Sequence, residues 1–228
     1  MQPILLLHGA IGAKDQLAGI EELLSDSFAV HSLNFGGHGG SALTANPFSI
    51  RLFADEVIGY LNSRGIDRTS IFGYSMGGYV ALYLAVKHPE RIDKIMTLAT
   101  KFSWDEAIAA KEIKMLDAGK ITEKLPGFAA TLKARHAPND WTLILERTAA
   151  MLVEMGNDNP LEIADYAHIQ QPVLVMLGDR DKMVSLDETL QVYKALPNAQ
   201  LAVLPNTAHP IEMADKARLA SEIRLFLQ

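Results

Sequence analysis

The chain has 228 residues and no cysteine. Disulfides, thiolate nucleophiles and cysteine-based zinc sites are therefore excluded. It also lacks a long apolar run. The stretch Ile4-Leu5-Leu6-Leu7 is too short for a signal peptide, has no Lys or Arg before it, and no window approaches a membrane span. There is no run of five or more like charges, and the net charge is −6. That balance argues against nucleic acid and against anionic membrane surfaces, which attract clustered Lys and Arg. No histidine pair has metal-ligand spacing, and no G-x-G-x-x-G opens a helix. We therefore expect no metal, no cofactor, a small-molecule substrate and a cytoplasmic location. Oligomeric state is not readable from the chain.

What is present is an ordinary globular composition, 49% hydrophobic and 21% charged. A chain of this length can bury about 70–75% of the surface its unfolded form exposes. Its elements alternate. Ile4–Leu7 reads as a strand buried on both faces, Asp15–Leu24 as a short helix and Phe28–Leu33 as a second strand. A helix starts at Pro47 and ends at Gly65, with Ile50, Phe53, Val57, Ile58 and Leu61 at helical spacing. Strand Thr69–Phe72, helix Met76–Lys87 and strand Lys94–Ala99 follow. From 103 to 169 the pattern is helical throughout, most clearly at Trp104–Ala118 and Asp140–Met155. Alternation resumes with strand Val173–Leu177, helix Leu186–Ala195, strand Gln200–Leu204 and helix Ile211–Leu227. Strands alternating with helices imply a parallel sheet between helical layers. The fold expected is thus an α/β three-layer sandwich with about six parallel strands. Residues 1–102 and 170–228 form the core, and 103–169 are a helical insertion after the fourth strand.

Gly73-Tyr74-Ser75-Met76-Gly77 matches G-x-S-x-G between a strand pattern and a helix pattern, the setting that motif needs. A serine at such a turn sits on a strained backbone, and its flanking glycines let the chains pass. The helix behind it aims free N–H groups and a partial positive charge at developing negative charge. A serine hydroxyl needs a base to take its proton. His209 follows the last strand and precedes the last helix, where a base beside Ser75 must lie. His31 lies inside a strand pattern and His88 at a helix end, so both read as structural or solvated. The base in turn needs a carboxylate to fix its tautomer. Asp179 and Asp181 both follow a strand and are both reasonable on position.

From His8 to His209 the sequence resembles the α/β-hydrolase family. The order Ser, Asp, His matches. The family's acid pattern, Gly-x-x-Asp-x-x-Val, falls on Gly178–Val184 and points to Asp181, and the family histidine falls on His209. His8-Gly9-Ala10-Ile11-Gly12 resembles the HGxxG loop, which implies that the Ala10 and Met76 amides form an oxyanion hole. His8 would brace that loop. Gly36-Gly37-His38-Gly39-Gly40-Ser41 resembles the next glycine-rich loop, with Asn34 in place of the family's usual Asp and His38 as loop structure. The family usually has two strands before the HG loop, so the sheet here is expected to lack them. The insertion resembles the family's cap.

Among Phe102 at the cap's boundary and the cap's Trp104, Leu116, Leu125, Phe128, Leu132, Trp141, Leu145, Met151 and Met155, most are expected to pack the cap helices together. The residues expected at the substrate pocket are Ile11, Trp104, Phe128, Trp141 and Met183. Arg135 and His136 are open to two readings, recognition of a polar substrate group or, the better of the two, a solvated helix end, and no dense basic cluster is visible. The function implied is a serine hydrolase, carboxylesterase-like, that cleaves an ester or related acyl bond of a small, largely apolar substrate through an acyl-enzyme. The family also contains lactonases, thioesterases, carbon–carbon bond hydrolases, cofactor-free peroxidases and lyases. A non-catalytic small-molecule binder of the same fold is the reading from a different class.

Overall fold

The computed structural model describes residues 1–228. Six strands form one sheet: β1 (Pro3–Leu7), β2 (Ala29–Ser32), β3 (Thr69–Tyr74), β4 (Ile92–Leu98), β5 (Val173–Gly178) and β6 (Ala199–Leu204). Their spatial order is β2-β1-β3-β4-β5-β6, and every pairing is parallel. The expected all-parallel sheet is present. Side chains alternate across it because a strand has a period of two. Leu5, Leu7, Ile71, Val173 and Val175 belong to one core, and Ile4, Leu6, Phe72, Met96, Leu174 and Met176 to the other. Helices α1 (Ala18–Leu24), α2 (Ile50–Ser63) and α3 (Met76–Lys87) follow β1, β2 and β3. Helices α2 and α3 bury Phe53, Val57, Leu61, Tyr79 and Val80 in the first core, and α1 buries Ile20 and Leu24 in the second.

Between β4 and β5 the chain forms four helices and no strand: α4 (Glu106–Glu112), α5 (Ala118–Lys124), α6 (Pro126–His136) and α7 (Trp141–Asn157). The single helix expected over Trp104–Ala118 is divided. Its last turn tightens to a 3₁₀ turn at Ile113–Leu116, and the Asp117 carboxylate accepts the Lys120 N–H, starting α5 afresh. An aspartate that can cap a new helix outcompetes continuation of the old one. The C-terminal expectation is corrected in the same way. Ile211–Met213 is a 3₁₀ turn, and α9 begins only at Lys216, capped by Asp215, and runs to Leu227. Helix α8 (Leu186–Ala195) has the expected bounds and opens on a Ser185–Glu188 capping box. No helix is long and apolar enough to cross a membrane.

Candidate active site

The strand–turn–helix at the end of β3 positions the serine. Ser75 has φ 50 and ψ −116, a strained conformation outside both helix and sheet. Close approach explains the glycines. A Cβ on Gly73 would lie 2.4 Å from backbone atoms of Gly77 and Gly78, and one on Gly77 would lie 2.5 Å from the Leu7 carbonyl oxygen. The elbow is pinned from β4: Ser75 N–H donates to Leu98 O at 2.8 Å, and Thr100 Oγ1 donates to Ser75 O at 3.0 Å. As first residue of α3, Met76 has an N–H with no partner inside the helix.

His209 lies on the loop after β6, and Tyr74 Oη donates to its carbonyl at 3.1 Å. Its Nδ1 is 2.8 Å from Asp181 Oδ2. The Asp181 side chain is 1% exposed, and its Oδ1 accepts the Met183 and Val184 N–H groups at 2.8 and 2.9 Å. Burial pushes the Asp181 pKa up, but the hydrogen bonds from His209 and from those amides outweigh it, leaving the carboxyl below its ordinary value. Asp179 is turned elsewhere: its Oδ1 accepts the Thr207 N–H at 3.0 Å, a bond that ties the acid loop to the histidine loop. Position left the two aspartates level; the fold brings Asp181 to the histidine.

Two cavities open on Ser75. The smaller, about 80 Å³, is lined by Ala10, Ser75, Met76 and His209, and by apolar groups that include Tyr79, Trp104, Met151 and Met155. The larger, about 570 Å³, also reaches Ser75 and His209 and extends past Ile11 and Phe128 to Pro210 and Glu212. Ala10 lines both, and its N–H makes no hydrogen bond within the chain. Of the residues expected at the pocket, Met183 lines both cavities, Trp104 the smaller, and Ile11 and Phe128 the larger. Trp141 lines neither. It begins α7 and packs beside Ile121, Ala129, Leu132 and Leu145, holding cap helices to one another.

Sequence reasoning missed Lys101 and Glu112 in the smaller cavity. Lys101 Nζ donates to Met183 O at 3.0 Å and lies 3.6 Å from Glu112 and 3.8 Å from Glu188. It joins the exit of β4 to the loop that carries Asp181. Glu112 is spaced three residues from buried Ala109, and that helical periodicity was the available signal. Arg135 is not solvated either. Its side chain is 11% exposed, pairs with Asp15 and Glu212, and lines the larger cavity. Lys114, just before α5, and Lys120 and Lys124, one turn apart on it, also line that cavity.

The loops behind the site are built on neutral histidines. His8 Nε2 accepts the Phe35 N–H, so the ring proton is on Nδ1, donated to Gly9 O at 2.8 Å. His38 is buried, with Nδ1 donating to Gly36 O at 3.1 Å. Asn34 accepts the Lys14 N–H through Oδ1 and donates Nδ2–H to Gly39 O, a donation that an ionised aspartate could not make. Burial lowers the pKa of His8 to about 4 and lowers those of His38 and His136 as well. In the unfolded chain all three would protonate near 6.5. The unfolded state therefore binds more protons below that pH, and each group costs about 1.4 kcal/mol per pH unit between its two pKa values. Thermal midpoints measured from pH 7.5 to 4 should be flat above about 6.5 and fall steeply below it. His8→Gln should flatten part of that fall.

No group of three or more His, Asp or Glu side chains is arranged to hold a metal ion. Comparison with known proteins agrees with the geometry. The family model for the alpha/beta hydrolase fold matches residues 2–152. The chain belongs to the α/β-hydrolase fold family. A pimeloyl-[acyl-carrier protein] methyl ester esterase of Neisseria meningitidis is 26% identical over 249 aligned positions, covering 100% of this chain and 94% of that protein. Among solved structures, a thermophilic esterase from Thermogutta terrifontis superposes with a TM-score of 0.81 at 23% identity, over 100% of this α/β-hydrolase and 89% of that chain. The enol-lactonase from Burkholderia xenovorans LB400 gives 0.79 at 20% identity, over 99% and 91%. At such identities the two structures speak to the fold alone.

Proposed function

We propose that this α/β-hydrolase is a carboxylesterase-like serine hydrolase acting through an acyl-enzyme on a small, largely apolar ester. The observation that carries the reading is the 2.8 Å Asp181–His209 hydrogen bond, set beside a strained Ser75 on the wall of an apolar cavity. His209, with its proton held on Nδ1 by Asp181, takes the Ser75 proton on Nε2 as Oγ attacks the ester carbonyl carbon. The oxyanion is received by the Ala10 and Met76 N–H groups, and donors of this kind are worth about 3–4 kcal/mol each. His209 then returns the proton to the departing alkoxide, so an alcohol leaves. Water, deprotonated by the same imidazole, attacks the acyl-enzyme and frees Ser75 and the acid.

The relationship to an ester esterase supports ester chemistry. Residues 103–169 act as the cap over a core of 1–102 and 170–228, because Trp104, Met151, Leu152 and Met155 share a cavity with Ser75. The smaller cavity lies against Met76 and Tyr79 of α3 and takes a short acyl chain. The larger one continues past His209, which protonates the leaving group, and takes the bulkier alcohol. We place the reaction in the cytoplasm, for which a cysteine-free chain is suited.

The test is a fluorophosphonate probe read by intact mass, followed by p-nitrophenyl esters of increasing acyl length. One adduct per chain on wild type, absent from Ser75→Ala, and a kcat/KM optimum at acetyl to butyryl are expected. A well-folded wild type without adduct or turnover would refute the reading in favour of a binding protein. Trp104→Ala removes a wall of the smaller cavity. It should move the optimum to longer chains, each added buried methylene contributing about 0.8 kcal/mol. An unmoved optimum would show that the acyl chain lies elsewhere.

A further inference from the structure

His136, the last residue of α6, is 1% exposed and lines neither cavity, so it cannot touch a substrate. Its ring is nevertheless fully engaged. The Gly39 N–H donates to Nδ1 at 3.2 Å, which leaves the ring proton on Nε2, 3.0 Å from Ile11 O. One neutral imidazole thus joins three segments: the cap, the glycine-rich loop after β2 and the HG loop after β1.

The HG loop needs holding. Ile11 has φ 50, a left-handed conformation that costs a β-branched residue about 1–3 kcal/mol and persists only where the surroundings over-determine it. Gly12 N–H donates to Gly9 O at 3.1 Å, closing a turn whose two central residues are Ala10 and Ile11. The left-handed second position is that of a type II turn. Relaxation of Ile11 to negative φ would turn the Ile11–Gly12 peptide, whose N–H donates to Gly9 O, the carbonyl of the peptide that carries the Ala10 N–H. That N–H makes no hydrogen bond within the chain; its direction follows from its peptide's own carbonyl, Gly9 O, which accepts from Gly12 N–H and from His8 Nδ1–H. The fastening on the Ile11 carbonyl comes from His136.

We propose that His136 is a positioning residue by which the cap holds the oxyanion hole in its working geometry, through the Nε2–H bond to Ile11 O. The proposal rests on the reading of Ala10 as an oxyanion donor. Two amide substitutions separate its two bonds. Glutamine places an amide one bond beyond Cγ, where Nε2 was, and keeps the donation to Ile11. Asparagine places one on Cγ, where Nδ1 was, and keeps only the acceptor for Gly39.

With p-nitrophenyl butyrate as the probe, His136→Asn should lower kcat about tenfold with KM within about threefold. A donor displaced by a fraction of an ångström loses transition-state more than ground-state stabilisation. His136→Gln should restore kcat to within about threefold of wild type, and thermal midpoints of the two variants should fall alike. Equal kcat in the two variants, or a change confined to KM, overturns the role of His136 and leaves the hydrolase reading standing. A wild type with neither turnover nor fluorophosphonate adduct overturns both.

Discussion

Ser75→Ala should lower kcat by about four to six orders of magnitude while the protein folds as before. Losses of that size accompany removal of the nucleophile from a Ser-His-Asp set, and what remains reflects binding and the oxyanion hole. The fold should survive because the Ser75 hydroxyl makes no internal hydrogen bond; the elbow is held by its backbone, through Leu98 O and Thr100 Oγ1. Alanine at φ 50 bears the same steric cost as serine, so the midpoint of thermal unfolding should move by less than about 3 °C. Activity and melting curves measured on one preparation check both halves. Retained esterase activity would mean that Ser75 is not the nucleophile.

Asp181→Asn should cost about four orders of magnitude in kcat, the loss expected when the base is held in the wrong tautomer. The side chain has two fixed obligations. Oδ1 accepts two backbone N–H groups, and Oδ2 accepts the His209 Nδ1–H. An asparagine must turn its oxygen to the amides, since two N–H donors cannot face an NH₂ group. Its NH₂ then points at Nδ1, which must become an acceptor. The imidazole proton moves to Nε2, the nitrogen that should receive the proton of Ser75. Steady-state kinetics of Asp181→Asn beside Asp179→Asn would read this directly. Asp179 bonds the Thr207 N–H rather than His209, so its substitution should affect stability more than turnover. Equal losses from both would dissolve the distinction between them.

Much of this was legible in the chain because it is locally encoded. Gly73, Ser75 and Gly77 declare a strand–turn–helix that sequence neighbours alone can enforce, and the all-apolar Ile4–Leu7 declares a strand covered on both faces. Where sequence reading erred, the competing force was local too: Asp117 and Asp215 capped new helices inside stretches whose apolar spacing ran on. The cap was less readable. Trp141 packs between cap helices instead of facing the substrate, while Arg135 and His136, polar residues at a helix end, are drawn inside. Their partners lie far off in sequence: Asp15 and Glu212 for Arg135, Ile11 and Gly39 for His136.

The sequence by itself determined the parallel α/β layering and the serine elbow, and it placed His209 beyond the last strand. These follow from periodicity, from glycines that only close approach requires, and from chain order. Position alone left Asp179 and Asp181 level and only the family resemblance pointed to Asp181; the tertiary structure joins Asp181 to His209 and brings Lys101 and Glu112 into the smaller cavity with Ser75. It also turns Lys114, Lys120 and Lys124 toward the larger cavity and sets a cap histidine on the HG loop. Those outcomes depend on how separate segments dock, and docking is set by shape and by buried hydrogen bonds between residues far apart in the chain.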